Sequence, residues 1–152
     1  MASTLLLIGR IVFSVFFIYS GYNHLANLGM MAQYTAGQGV PAASLAVVVS
    51  AIMLLAGGLT ILLGWQVRLG ALLLVAFLVP VAIIMHRFWG LPDPMMAQNQ
   101  AAHFWKNITL AGAALMIYGL ATLHPGRWPY SVGARGASGT SPGGWGGTAS
   151  RV

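Results

Sequence analysis

The residues of this chain that can carry chemistry are few, and they recur at helical spacing. Arg10, Ser14, Phe17, Gly21 and His24 are separated by 4, 3, 4 and 3 positions. That spacing sets them on one stripe of a helix, expected to face the interior of a bundle. Arg68, Leu72, Val75, Val79, Ala82 and His86 make a second stripe, and His103, Asn107, Ala111, Ala114 and Tyr118 a third. Neutral imidazole and amide donors can hydrogen-bond the carbonyl oxygens of a quinone, and a histidine near neutral pH can pass the proton that accompanies its reduction. Two facing histidines can instead ligate a haem iron, and three can bind zinc or copper. The pattern selects none of these. No HxxxH or CxxCH spacing occurs, and no carboxylate stands behind the histidines as a supporting ligand shell. The plainest use of His24, His86, His103, Lys106 and Asn107 is to sit among lipid headgroups and hold helix ends. Arg10 is expected to anchor a helix end, and Asp93, in LPDP, to make a turn. The chain has no cysteine, so disulfide exchange, thiolate catalysis and Fe–S ligation are excluded.

These residues must be positioned by elements, and composition restricts what the elements are. Of 152 residues, 58% are hydrophobic and 5% charged, whereas an average soluble domain is about one quarter charged. A soluble enzyme and a wholly disordered chain are both excluded, leaving an integral membrane protein. The seven Lys and Arg form no cluster, so the formal charge of +6 is not a nucleic-acid footprint. Four apolar segments, 5–24, 43–64, 68–88 and 104–123, are each long enough to span a bilayer. The runs are continuous, not alternating, which argues against a β-barrel. The expected architecture is an all-α, four-transmembrane-helix bundle over residues 1–125, with a flexible Gly/Ser/Pro-rich tail over 126–152. MASTLLLIG lacks the basic start of a cleavable signal, so the first helix is expected to stay.

Arg68, Arg127, Arg135 and Arg151 fall on one side of the four spans, and Arg10 can snorkel to it. Arg87 and Lys106 fall on the other. This asymmetry predicts cytoplasmic termini, with Arg10 and Arg68 as inner-side anchors. Trp65 and Trp128 then belong to the inner interface, Trp89 and Trp105 to the outer one, and Trp145 to the loosely ordered tail. His24, His86, His103 and Asn107 come to one depth near the outer face, beside Lys106, and His124 to the inner side. Helix contacts are expected at small residues: Gly21 on the first helix, Ala56, Gly57, Gly58, Thr60 and Gly64 on the second, Gly112 on the fourth. Pro80 should kink the third helix.

With these residues in view, the chain resembles the DoxX family. The resemblance rests on LLLIGRIVFSVFFIYSGYNHL, on GVPAA before the second span, on AGGLTILLGWQVRLGALLL, on IIMH and on HFWKNITLAGAALM. Arg10, Gly21, Pro41, Gly58, Gly64, Arg68, His86, Lys106 and Asn107 fall on the family pattern. The resemblance implies a four-helix protein of the bacterial inner membrane. The family's founding member is the small subunit of a thiosulfate:quinone oxidoreductase, and other members are linked to membrane-attached oxidoreductase assemblies. Many members carry a Glu shortly before the glycine pair of the second span. Here Met53 and Leu54 stand there, so no intramembrane acid is available as a proton relay. The resulting expectation is a small, non-catalytic structural subunit of a larger membrane redox complex, respiratory or photosynthetic. It would contact lipid and partner subunits and hold lipid or quinone. The alternative is a subunit that reduces quinone at the outer histidine cluster. A transporter has little to recommend it, because the helices hold almost no internal charge and no inverted repeat is evident.

Overall fold

In a computed structural model the described residues are 1–124, Trp128, Ser131 and Val132. They form five helices: α1 (Ala2–Ala26), α2 (Leu28–Gly37), α3 (Ala43–Leu63), α4 (Val67–Met85) and α5 (Pro94–Leu123). Among the described residues four helices, all but α2, are long and apolar enough to cross a membrane. The 21 residues of α3 span about 31 Å and the 30 of α5 about 45 Å, at roughly 1.5 Å per residue. The first matches a bilayer core and the second exceeds it.

Two features depart from the expected layout. The segment between the first two spans is not all loop, because α2 occupies ten residues of it. Asn27 closes α1 and opens α2 with φ −117° and ψ 32°. Its amide donates to Asn23 Oδ1 at 2.7 Å, which holds the break. The fourth span also begins at Pro94, ten positions before 104. Asp93 caps it by accepting from the Met95 amide at 2.9 Å, and Pro94 fits the first turn.

Backbones approach closely between α1 and α3, α3 and α4, and α4 and α5, while α2 lies against α3. The core between them holds Phe17, Leu54, Ile61, Ala71, Leu74, Leu78, Ala111 and Ala114. The α1 stripe faces inward as expected: Arg10, Ser14, Phe17 and Gly21 are buried. The α4 stripe does so only over its later turns, where Ala82 is buried and Val75, Val79 and His86 are half-buried. Arg68 and Leu72 are exposed, while Val67, Ala71, Leu74, Leu78 and Ala82 are buried. Over the first turns of α4 the buried face lies about one residue away, near 100°, which leaves Arg68 exposed. Ile, Leu and Val side chains cover the outside, as at Val12, Ile52, Leu69 and Leu115.

The two ends of the bundle differ. At the arginine end, Gly64 closes α3 with φ +69°, which favours glycine. Trp128 is buried there and the Val132 amide donates to Leu63 O at 2.9 Å. Packed structure therefore continues past residue 125. Arg127, Arg135, Trp145 and Arg151, named with the tail, lie outside the described residues. At the opposite, histidine end, α2 and the loop before α5 cap the helices.

Candidate functional site

The histidine end encloses a cavity of about 370 Å³. Its walls are mostly apolar, formed by residues such as Phe17, Leu54, Phe77 and Leu78. Its polar residues come from every helix: Ser20 and His24 of α1, Tyr34 and Thr35 of α2, Ser50 of α3, His86 following α4, and Lys106 and Asn107 of α5. Pro80 lines it as well. Alpha-helical spacing on α5 sets Asn107 one turn beyond His103, and Asn107 is 7% exposed.

The five residues singled out for this end take different places. His24, His86, Lys106 and Asn107 share the cavity. His103 is not among the lining residues. It stacks on His86, with ring centroids 5.1 Å apart and planes 21° from parallel. Lys106 Nζ donates to His103 Nδ1 at 3.0 Å. An ammonium only donates, so His103 accepts at Nδ1. His24 stands apart from the other two rings and meets the edge of Phe77. His124 lies exposed beyond α5 at the arginine end. Among the described residues no three His, Cys, Asp or Glu gather into a group able to hold a metal.

Several participants escaped sequence reading. Gln100 accepts from His86 Nδ1 at 3.0 Å. It lies three residues before His103 and seven before Asn107, so the α5 stripe, extended one turn back, contains it. Tyr34 reaches from α2 to donate to Met85 O at 3.3 Å, and Ser50 lines the cavity from α3. No residue spacing announces either.

Arg10 and Arg68 also part company. Arg10 is 3% exposed and its Nε donates to Ile61 O at 3.1 Å. A second guanidinium nitrogen donates to Leu62 O. The group lies over the Trp128 ring, 5.8 Å from its centroid. It therefore closes the C-terminus of α3, where free carbonyls and the helix dipole favour a cation. Arg68 is solvent- or headgroup-facing. The packing residues divide similarly. A Cβ on Gly21 would meet Leu55, one on Gly57 would meet Leu74, and one on Gly58 would come within 3.1 Å of Ser14 O. One on Gly64 would meet Ser131. Thr60 donates to Ala56 O at 2.7 Å and sits where Gly70 of α4 comes close. Gly112 has nothing within 4 Å and makes no helix contact of this kind.

Comparison with known proteins agrees with this architecture. The DoxX family model matches residues 5–87, more than half of the 152 residues. The inner membrane protein YphA of Escherichia coli (strain K12) is 33% identical over 113 residues, which are 74% of this chain and 80% of that protein. The inner membrane protein YqjF of the same organism is 30% identical over 111 residues, 73% of this chain and 79% of its own length. No solved structure gives a significant match. The family match contains Arg10, the α3 glycines and His86, and its bounds, with the four spans that frame the cavity, identify the chain as a member of the DoxX family.

Proposed function

We propose that this membrane protein holds a lipophilic ring compound of the quinone type in the cavity at its histidine end, as a small subunit of a larger redox assembly. The observation that carries the reading is the cavity itself. Its 370 Å³ fall within the range of about 300–1,000 Å³ found for small-molecule sites. Apolar walls suit a ring and the start of a hydrocarbon tail. Lys106 and Asn107 supply donors to ring oxygens. The chain has no cysteine to carry electrons as a dithiol, and in this reading a partner subunit supplies them. With the arginines of the other end facing the cytoplasm, both termini are cytoplasmic and the cavity opens near the outer face.

A second reading is that the site itself delivers protons to the quinone. The stacked His86 and His103, with Lys106 bonded behind them, favour it, since they link a cavity wall to an exposed charged side chain. One titration addresses both. The purified full-length protein in detergent is titrated with a decyl-substituted benzoquinone, followed by tryptophan fluorescence. Saturable binding is expected, weakened about tenfold or more by Asn107→Leu, on the scale of one or two lost hydrogen bonds. Unchanged binding in Asn107→Leu and in His86→Phe overturns the reading. Membranes from His86→Phe cells then separate the two roles. Retained assembly with lost quinone-linked electron transfer favours proton delivery, and retained electron transfer favours a holding role.

A further inference from the structure

We infer that the cavity is built for a ligand that donates hydrogen bonds from ring hydroxyls, so that it takes the dihydroxy (quinol) form of such a ring in preference to the acceptor-only quinone. The inference deepens the reading of this cavity as a ring-binding site and rests on it. What it adds comes from where the cavity's own protons point.

His24 Nδ1 lies 2.7 Å from Ser20 O. A carbonyl oxygen can only accept, so Nδ1 carries the proton and Nε2 of the neutral ring is an acceptor. That nitrogen is on the ring edge turned away from the helix backbone. His86 spends its Nδ1 proton on Gln100 Oε1, which again makes Nε2 the acceptor. The hydroxyls follow the same pattern. Ser20 donates to Phe16 O at 2.8 Å, Ser50 to Val47 O at 2.7 Å, and Tyr34 to Met85 O at 3.3 Å. Each has committed its one proton to backbone and keeps only lone pairs for a neighbour. Five polar side chains from α1, α2, α3 and the end of α4 thus present acceptors to one cavity. Donors stand on the α5 side, at Lys106 and Asn107, and Thr35 can turn its hydroxyl either way.

An oxygen that only accepts is served by the α5 wall and opposed by the others, where lone pair would face lone pair. A ring hydroxyl both donates and accepts. It can give its proton to His24, His86 or a serine while receiving from Lys106 or Asn107. A bound ring that displaces water from these acceptors and cannot donate to them leaves them unmet, at a cost, so the walls discriminate by hydrogen-bond direction and not by shape.

Two matched pairs test this on the wild-type full chain in detergent. The first is a decyl-substituted hydroquinone, kept reduced under dithionite, against its benzoquinone. The second is a 4-alkylphenol against its methyl ether, which differ in the donated proton and need no redox state. The hydroxylic member of each pair should bind about ten- to a hundredfold more tightly, the effect of one or two unmet acceptors. Double replacement His24→Phe with His86→Phe should bring the phenol–ether ratio to within about threefold, with Ser50→Ala leaving most of it. Equal affinity within both pairs overturns the inference while leaving a quinone site intact. Tight phenol binding with no binding of either ring of the first pair upholds the hydroxyl preference and overturns the quinone reading. No binding of any of the four compounds overturns both.

Discussion

At the residue scale, the two cationic side chains of the arginine end show why a charge of one type can do unlike work. Arg10 is enclosed because its fork meets two carbonyls in the last turn of α3, Ile61 O and Leu62 O. Removing it takes the side-chain donor from Leu62 O, while Ile61 O keeps the Gly64 amide at 3.1 Å. Arg10→Leu should therefore lower stability by roughly 1–3 kcal/mol, the cost of one orphaned acceptor. Arg10→Lys should recover only part, since an ammonium cannot match the fork. Thermal unfolding in detergent, followed by circular dichroism, checks both; a melting temperature unchanged in Arg10→Leu would mean that the α3 end is closed without it. At the other end, Gln100 does for His86 what a backbone carbonyl does for His24: it fixes which ring nitrogen bears the proton. Gln100→Leu frees that choice, so the preference for phenol over its methyl ether should fall about three- to tenfold, the scale of one hydrogen bond. Gln100→Glu keeps an accepting oxygen and should restore it. Competition binding with the two compounds reads the ratio directly, and equal ratios in all three proteins would remove Gln100 from the site.

At the element scale, glycines that look alike in sequence meet different surroundings. A Cβ on Gly58 would press on Ser14 O and Ile18 N, backbone atoms that cannot step aside, whereas one on Gly112 would enter open space. Gly58→Ala should cost about 1–3 kcal/mol by forcing α1 away from α3. Gly112→Ala should instead stabilise α5 by up to about 1 kcal/mol through helix propensity. Unfolding midpoints of the two variants should move in opposite directions, and a shared direction would refute this account of the α1–α3 contact. The same contrast marks what could be read from sequence. Hydropathy located the four spans because a bilayer-length apolar run has few other uses. It could not find α2, whose ten residues, LGMMAQYTAG, are too few to cross a membrane. It placed the start of α5 late because MMAQNQAA is polar enough to resemble a loop, although the Asp-Pro cap before it is a helix-start signal. On α4, the stripe through Arg68 matches the inward side at Ala82 but lies one residue from it at Arg68 and Leu72, both exposed. Among the site residues, His24, His86, Lys106 and Asn107 could be grouped by depth alone. Gln100, Tyr34 and Ser50 could not, since their roles depend on contacts across helices.

At the scale of the whole molecule, the bundle is polarised. One end is closed by a guanidinium, a buried tryptophan and the Val132 amide bonded to Leu63 O; the other keeps a cavity under α2. The surface between them is dominated by exposed Ile, Leu and Val side chains and says nothing of direction, so orientation must come from charges at the ends of the spans. Arg10 and Arg68 belong to the closed end, and Arg127, Arg135 and Arg151 follow it in the sequence, while Arg87 and Lys106 belong to the cavity end. Positive charge resists translocation, which predicts that the closed end and both termini lie in the cytoplasm. Because the chain has no cysteine, single cysteines can be introduced without background. Ser3→Cys and Gln66→Cys should resist a membrane-impermeant maleimide in intact spheroplasts and react after the membrane is opened. Gln98→Cys, in the first turns of α5, should react in both states. The reverse pattern would turn the cavity toward the cytoplasm, where any ring hydroxyl bound there would exchange its proton with the cell interior instead of the outer side. The direction of insertion therefore decides on which side of the membrane the cavity's acceptors meet protons, and labelling measures it independently of any ligand.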